Sequence, residues 1–208
     1  MSEIVLFETF DGPSIDSRLR WYCPPTQPAI MNSHLVIEPG AKTDYWQKTH
    51  YGFAVDNGPF LHLELEGDFN LSTRVRFYPA HQYDQAGLMV RFSPDYWIKT
   101  AVEHEPEGAA RLGAVVTDQG YSDWSTQNVP ASLSELELQV KREGNDYLVY
   151  YRQVNLPGAS EEEKDWTQIR MAHLEPPEMT AIQCGLYACS PIGAGFRAEF
   201  DYLRVEKE

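Results

Sequence analysis

Gln85, Met89, Arg91, Lys99, Glu103, Arg111 and Thr117 stand at alternate positions of three consecutive segments, and all but Met89 carry a polar group. Alternate side chains of an extended chain share one face, so three neighbouring strands would gather these residues on one surface. Arg74 and Arg76, from the segment before, are expected to join them. Such a surface beside Trp97 and Trp124 suits a carbohydrate or a similar polyhydroxylated ligand. An indole stacks on the apolar C–H face of a sugar ring, while charged groups bind its hydroxyls. His81 and Tyr83, in the polar loop leading into the first segment, are placed at the rim. The candidate ligand-binding set is therefore Arg74, His81, Tyr83, Gln85, Arg91, Lys99, Glu103 and Trp124. The plainer alternative is a solvated sheet face laced with weak ion pairs.

Glycoside hydrolysis would need two carboxyl groups ~5–9.5 Å apart. Glu64 and Glu66 have the i, i+2 spacing for it, with Asp68 next, but they sit where a segment ends at Gly67. Glu103 has no carboxylate partner by spacing. No catalytic residue is assigned, and binding is placed ahead of catalysis. His34, His50, His62, His81, His104 and His173 form no His-x-His or His-x-x-x-His pair, so no metal is expected. No cofactor is expected either, and the chain has no Gly-rich phosphate cradle and no serine nucleophile elbow.

Charge narrows the partners further. A net charge of −14 over 208 residues repels polyphosphates, and no Lys/Arg run reverses the field locally, so no nucleic-acid partner is expected. Cys23, Cys184 and Cys189 match neither a disulfide framework nor a zinc pattern. No stretch approaches the ~18 apolar residues of a membrane span. The acidic Met1–Phe10 region lacks the apolar centre of a secretion signal, and a cytoplasmic location is expected.

The elements that must position these residues are strands. Leu61, Leu63 and Leu65 alternate with polar neighbours, as do Leu71, Thr73 and Val75, and Ala86, Leu88 and Val90 alternate with Gln85, Gly87, Met89 and Arg91. Ile98, Thr100 and Val102, then Leu112, Ala114 and Val116, continue the pattern between turn signals such as Pro106-Glu107-Gly108. Leu136–Val140 and Tyr147–Tyr151 flank Gly144-Asn145 as a hairpin. The stretch from Leu156 to Lys164 is read as a polar loop with no 3.6-residue apolar stripe. The absence of βαβ alternation excludes a parallel sheet and leaves an all-β, antiparallel two-sheet sandwich, with residues 1–208 as one domain.

The blocks Asp84–Val90, Trp97–Glu103 and Ser122-Asp123-Trp124-Ser125 resemble an uncharacterised family that includes the fungal regulation-of-enolase protein. The opening Phe7-Glu8-Thr9-Phe10 and closing Phe200–Val205 fit it too, so the resemblance spans nearly the whole chain. It implies a concanavalin A-like jelly-roll fold of the lectin/glucanase type and no established activity. Similar sandwiches stand as accessory domains beside the catalytic propeller of β-xylosidase-type glycosidases. Three functions follow as expectations: a binding module for a carbohydrate or similar ligand on the polar sheet face, a glycoside hydrolase with an atypical carboxylate pair, or a protein-binding metabolic regulator.

Overall fold

The computed structural model describes residues 3–154, 165–176 and 181–207; the polar stretch Leu156–Lys164 lies outside them. The chain first forms β1 (Glu3–Glu8), β2 (Arg20–Tyr22), β3 (Ala29–Met31), β4 (His34–Ile37), β5 (Tyr45–Gln47) and β6 (Ala54–Asp56). Longer strands follow: β7 (Phe60–Leu65), β8 (Phe69–Tyr78), β9 (Gln85–Ser93), β10 (Tyr96–Glu103), β11 (Ala110–Asp118) and β12 (Tyr121–Val129). The remainder are β13 (Glu135–Glu143), β14 (Asp146–Gln153), β15 (Thr167–His173), β16 (Ile182–Cys189) and β17 (Arg197–Lys207).

They build two antiparallel sheets and a small hairpin. One sheet has the order β15-β14-β13-β8-β17-β4-β3, with β1 also on β17; the other runs β12-β11-β10-β9-β16-β7-β2. The fold is thus the all-β, antiparallel two-sheet sandwich that the alternation implies, and the jelly roll that the family resemblance implies. Leu71, Val75, Leu138, Val140 and Leu203 from the first sheet meet Leu88, Val90, Ile98, Val102 and Leu112 from the second in one buried core. Each fully buried aliphatic side chain contributes about 1.5–3 kcal/mol, so one-residue register slips that expose these rows are strongly disfavoured. The β11–β12 link shows the local chemistry that pins register. Its two residues, Gln119 and Gly120, both have positive φ (51° and 73°), as a two-residue hairpin turn with the native strand twist requires.

β9, β10 and β11 are neighbours, as their sequence order suggests, with Lys99 opposite Met89 on one side and Val115 on the other. β8 does not join them. It pairs with β13 and β17 in the opposite sheet, so Arg74 and Arg76 lie on the far side of the molecule from the β9–β11 face. There Arg74 contacts Glu137 at 3.1 Å, and Arg76 contacts Glu135 and Asp201 at 3.1 Å each. The expectation that these arginines share the candidate surface fails, because the 79–84 link crosses between sheets. Sequence-adjacent strands often pair, but a sandwich needs such crossings.

The outward face of β9–β11 also differs from a uniformly polar surface. The β5–β6 hairpin folds over it, and Tyr45, Trp46, Phe60, Met89, Trp97, Ala101, Val115, Tyr187 and Cys189 form a second buried cluster. Tyr45 meets Trp97 and Tyr187 edge-on, with centroids 6.1 and 6.0 Å apart.

Candidate functional site

Lys99 is the centre of the candidate site. Its side chain points outward from β10 and is almost wholly buried, at 2% exposure. Nζ donates to Gln85 Oε1 at 2.8 Å and stands 3.4 Å from Asp44 Oδ1. The Tyr187 hydroxyl donates to the same Gln85 oxygen at 3.1 Å, which holds the amide in place. A buried ammonium is costly without partners, so the Asp44 carboxylate and the Gln85 carbonyl are what make this position possible.

Lys99, Gln85, Asp44 and Glu103 line a cavity of about 280 Å³ whose other walls are largely aromatic. The β5–β6 hairpin supplies Trp46, Tyr51 and Phe53, β12 supplies Trp124, and Tyr83, Pro191 and Ile192 come from two loops. The volume lies near the low end of small-molecule pockets, ~300–1,000 Å³. It suits a single ring better than a chain of them.

Three devices hold the walls. At one end of the hairpin, Arg91 pairs with Asp56 through Nη2–Oδ2 at 2.6 Å and Nε–Oδ1 at 3.2 Å. At the other, the Gln47 N–H donates to Ser122 Oγ at 2.8 Å, and Ser122 bonds Thr117 at 2.7 Å. Asp84 anchors the loops: Oδ2 accepts the Ala80 and His81 N–H groups at 2.7 Å each, and Oδ1 accepts the Ser190 hydroxyl. Tyr83, next to this anchor, has φ 68°, uncommon for a bulky residue, and its N–H donates to the His104 carbonyl at 2.8 Å.

Glu103 ends β10, opposite Gln85 and Arg111. Its half-buried carboxyl is pushed up to about 7, chiefly by burial. Lys99 pulls the other way, while Asp44 and Glu105 add to the rise. Near neutrality the group is therefore divided between donor and acceptor forms. The cavity offers one ammonium donor, one fixed acceptor in Asp44, one switchable carboxyl and flat apolar walls, the Gln85 oxygen being taken up by Lys99 and Tyr187. Polar groups converging beneath aromatic rings can orient a hydroxylated ring.

Of the residues singled out from sequence, Tyr83, Gln85, Lys99, Glu103 and Trp124 come together here. Arg74 does not, being in the other sheet. Arg91 shares the face but not the cavity: it is bound by Asp56 and Gln183 and lies over the Tyr22 ring at 4.4 Å. Bidentate pairing with a carboxylate explains why it is an internal clasp and leaves no free fork for a ligand. His81 bonds the Ala194 carbonyl at 3.0 Å and steadies the 190–195 loop without lining the cavity. Glu64 and Glu66 are exposed and outside it. Among the described residues, no three His, Cys, Asp or Glu side chains gather at metal-binding range.

Sequence reasoning missed Asp44, Trp46, Tyr51, Phe53, Pro191 and Ile192. The density of aromatic rings in Tyr45-Trp46 and Tyr51-Gly52-Phe53 is the one signal that could have found the hairpin. Asp44 carries no such signal.

Residues 21–208 match the family described as "Protein of unknown function (DUF1349)". The chain belongs to this family. A Saccharomyces cerevisiae relative, Regulation of enolase protein 1, is 34% identical over 166 residues, covering 80% of this chain and 78% of its own. A solved structure of a functionally unknown protein from the same yeast superposes with a TM-score of 0.79 at 30% identity, over 91% of this chain and 96% of that one. The fold is also similar to part of the xylan beta-1,4-xylosidase from Bacillus halodurans C-125. That match has a TM-score of 0.76 at 15% identity and covers 97% of this chain but 39% of the xylosidase. The sandwich thus resembles a module of a glycoside hydrolase in fold.

Proposed function

We propose that the chain is a non-catalytic binding module that takes a carbohydrate or a similar polyhydroxylated small molecule in the Lys99 cavity. The observation that carries this reading is the buried Lys99 ammonium, set with Gln85 and Asp44 at the base of aromatic walls. Ring hydroxyls would take the donors and acceptors at the base, and Trp124 and Trp46 would cover the C–H face. Calorimetric titration with a panel of mono- and disaccharides tests it. Binding that Lys99→Met or Trp124→Ala weakens by roughly tenfold or more supports it, a loss of about 1.4 kcal/mol. Failure of every sugar to bind at millimolar concentration removes it.

A second reading has its own observation: Asp44, beside Lys99, and Glu103, whose carboxyl is pushed up chiefly by burial, place two carboxyl groups in one cavity. Glycoside hydrolysis uses a pair of carboxyl groups, one of them kept protonated by its surroundings. Aryl-glycoside turnover by the protein, lost in Glu103→Ala, would establish it; no turnover would remove it. The yeast relative's name suggests a third function, a protein-binding regulator. Exposed Tyr51, Phe53 and Ile192 at the cavity mouth would then be the contact, which co-purification with enolase tests.

A further inference from the structure

The charges in the cavity do not balance. Lys99 uses its ammonium on Gln85 and Asp44. That leaves Glu103 as a second carboxyl facing the same space. The groups around it do not compensate. Arg111, its register partner on β11, directs its guanidinium to Asn128. Glu105, two residues further along, adds negative charge and accepts a hydrogen bond from Gln82. With Glu103 ionised, Asp44, Lys99 and Glu103 leave the cavity one negative charge in excess.

The walls favour the same kind of ligand. Five aromatic residues, Trp46, Tyr51, Phe53, Tyr83 and Trp124, line the cavity, and ring faces attract cations. The chain's net charge of −14 draws cations in and holds anionic sugars off. A carboxylate that has no ion-pair partner among the described residues, beside several aromatic rings, is a site for an ammonium group. Hydrogen-bonding groups at the base of the same cavity serve hydroxyls.

Building on the binding function proposed above, we infer that the ligand is a hydroxylated ring bearing a protonated amine, the chemistry of an amino sugar. Its ammonium sits between the Glu103 carboxylate and the aromatic walls, and its hydroxyls meet Lys99, Gln85 and Asp44. A neutral sugar would leave Glu103 free to keep its proton. An ammonium ligand favours the ionised form, so binding drives a proton off Glu103.

Calorimetry at neutral pH separates these cases. The probes are the common 2-amino-hexoses, their N-acetyl forms, the parent hexoses and cyclohexylamine. At least one amino-hexose is expected to bind roughly tenfold or more tightly than its parent and its N-acetyl form. Titrations in two buffers of different ionisation heat should show proton release for that ligand. In Glu103→Gln the preference over the parent hexose should collapse, with the thermal melt confirming that the variant is folded. Parent and N-acetyl sugars binding as well as the amino-hexose would overturn the inference and leave the carbohydrate reading standing. Cyclohexylamine binding as well as the amino-hexose would overturn the carbohydrate reading, and the amino-sugar assignment with it. No binding by any probe would overturn both.

Discussion

Replacing Glu103 with glutamine keeps the shape of the side chain and removes its titration, so the stability difference between the two proteins isolates the cost of ionising this carboxyl. In the folded chain burial moves it from 4.5 to about 7, against the attraction of Lys99 and with help from Asp44 and Glu105. In the unfolded chain it returns to the ordinary value. Between those two pH values the folded protein holds a proton that the unfolded chain has released, and stability therefore falls as pH rises. At about 1.4 kcal/mol per pH unit, the wild type loses roughly 3 kcal/mol through this group between pH 4.5 and 7. Glu103→Gln does not. Urea unfolding of both proteins from pH 4 to 8.5 should give a stability difference that is flat below about 4.5, grows in the variant's favour to about 7, and is flat again above it. A difference that stays constant would mean that the carboxyl is solvated as in the unfolded chain. A difference that grows in the wild type's favour would mean that attraction to Lys99 and Arg111 outweighs burial. Either result refutes the reasoning.

Three further predictions concern the scaffold. Arg91→Met strands the Asp56 carboxylate, whose side chain is only 12% exposed, and should cost about 3–5 kcal/mol in urea unfolding; Asp56→Asn in the same chain should restore part of it. At Gly87 a Cβ would lie 2.1 Å from the Thr100 carbonyl oxygen, so Gly87→Ala should destabilise by more than about 3 kcal/mol. Gly40→Ala, with nothing within 4 Å, should stay within about 0.5 kcal/mol. Burial pushes the thiols of Cys184 and Cys189 up, and neither is accessible, so a disulfide reagent should modify at most Cys23 in the folded protein and all three in denaturant.

Much of the sandwich is legible because alternation is a local property. A strand has one core face whatever its partner, so Leu88, Val90, Ile98, Val102, Leu112 and Val116 could be assigned inward from sequence, and each is buried. The outward set followed with equal ease, and Gln85, Lys99 and Glu103 converge because β9 and β10 are adjacent. Arg74 obeys the same alternation, yet nothing local says that β8 belongs to the opposite sheet. Arg91 reads as a free guanidinium until Asp56, 35 residues away along the chain, is brought to its side.

Residue alternation, charge and the scarcity of phosphate-binding or metal-binding patterns were therefore determined by the chain itself, because each depends on neighbours within a few positions. Sheet membership, the fold-over of β5–β6 and the meeting of Asp44 with Lys99 were decided only in three dimensions. They depend on contacts between segments far apart in sequence. The most consequential is the hairpin: its strands are three residues each, too short to announce a face, and burial of Tyr45 and Trp46 against Trp97 and Tyr187 is what sets it in place. That packing turns an open row of polar side chains into a small aromatic cavity with a lysine at its base.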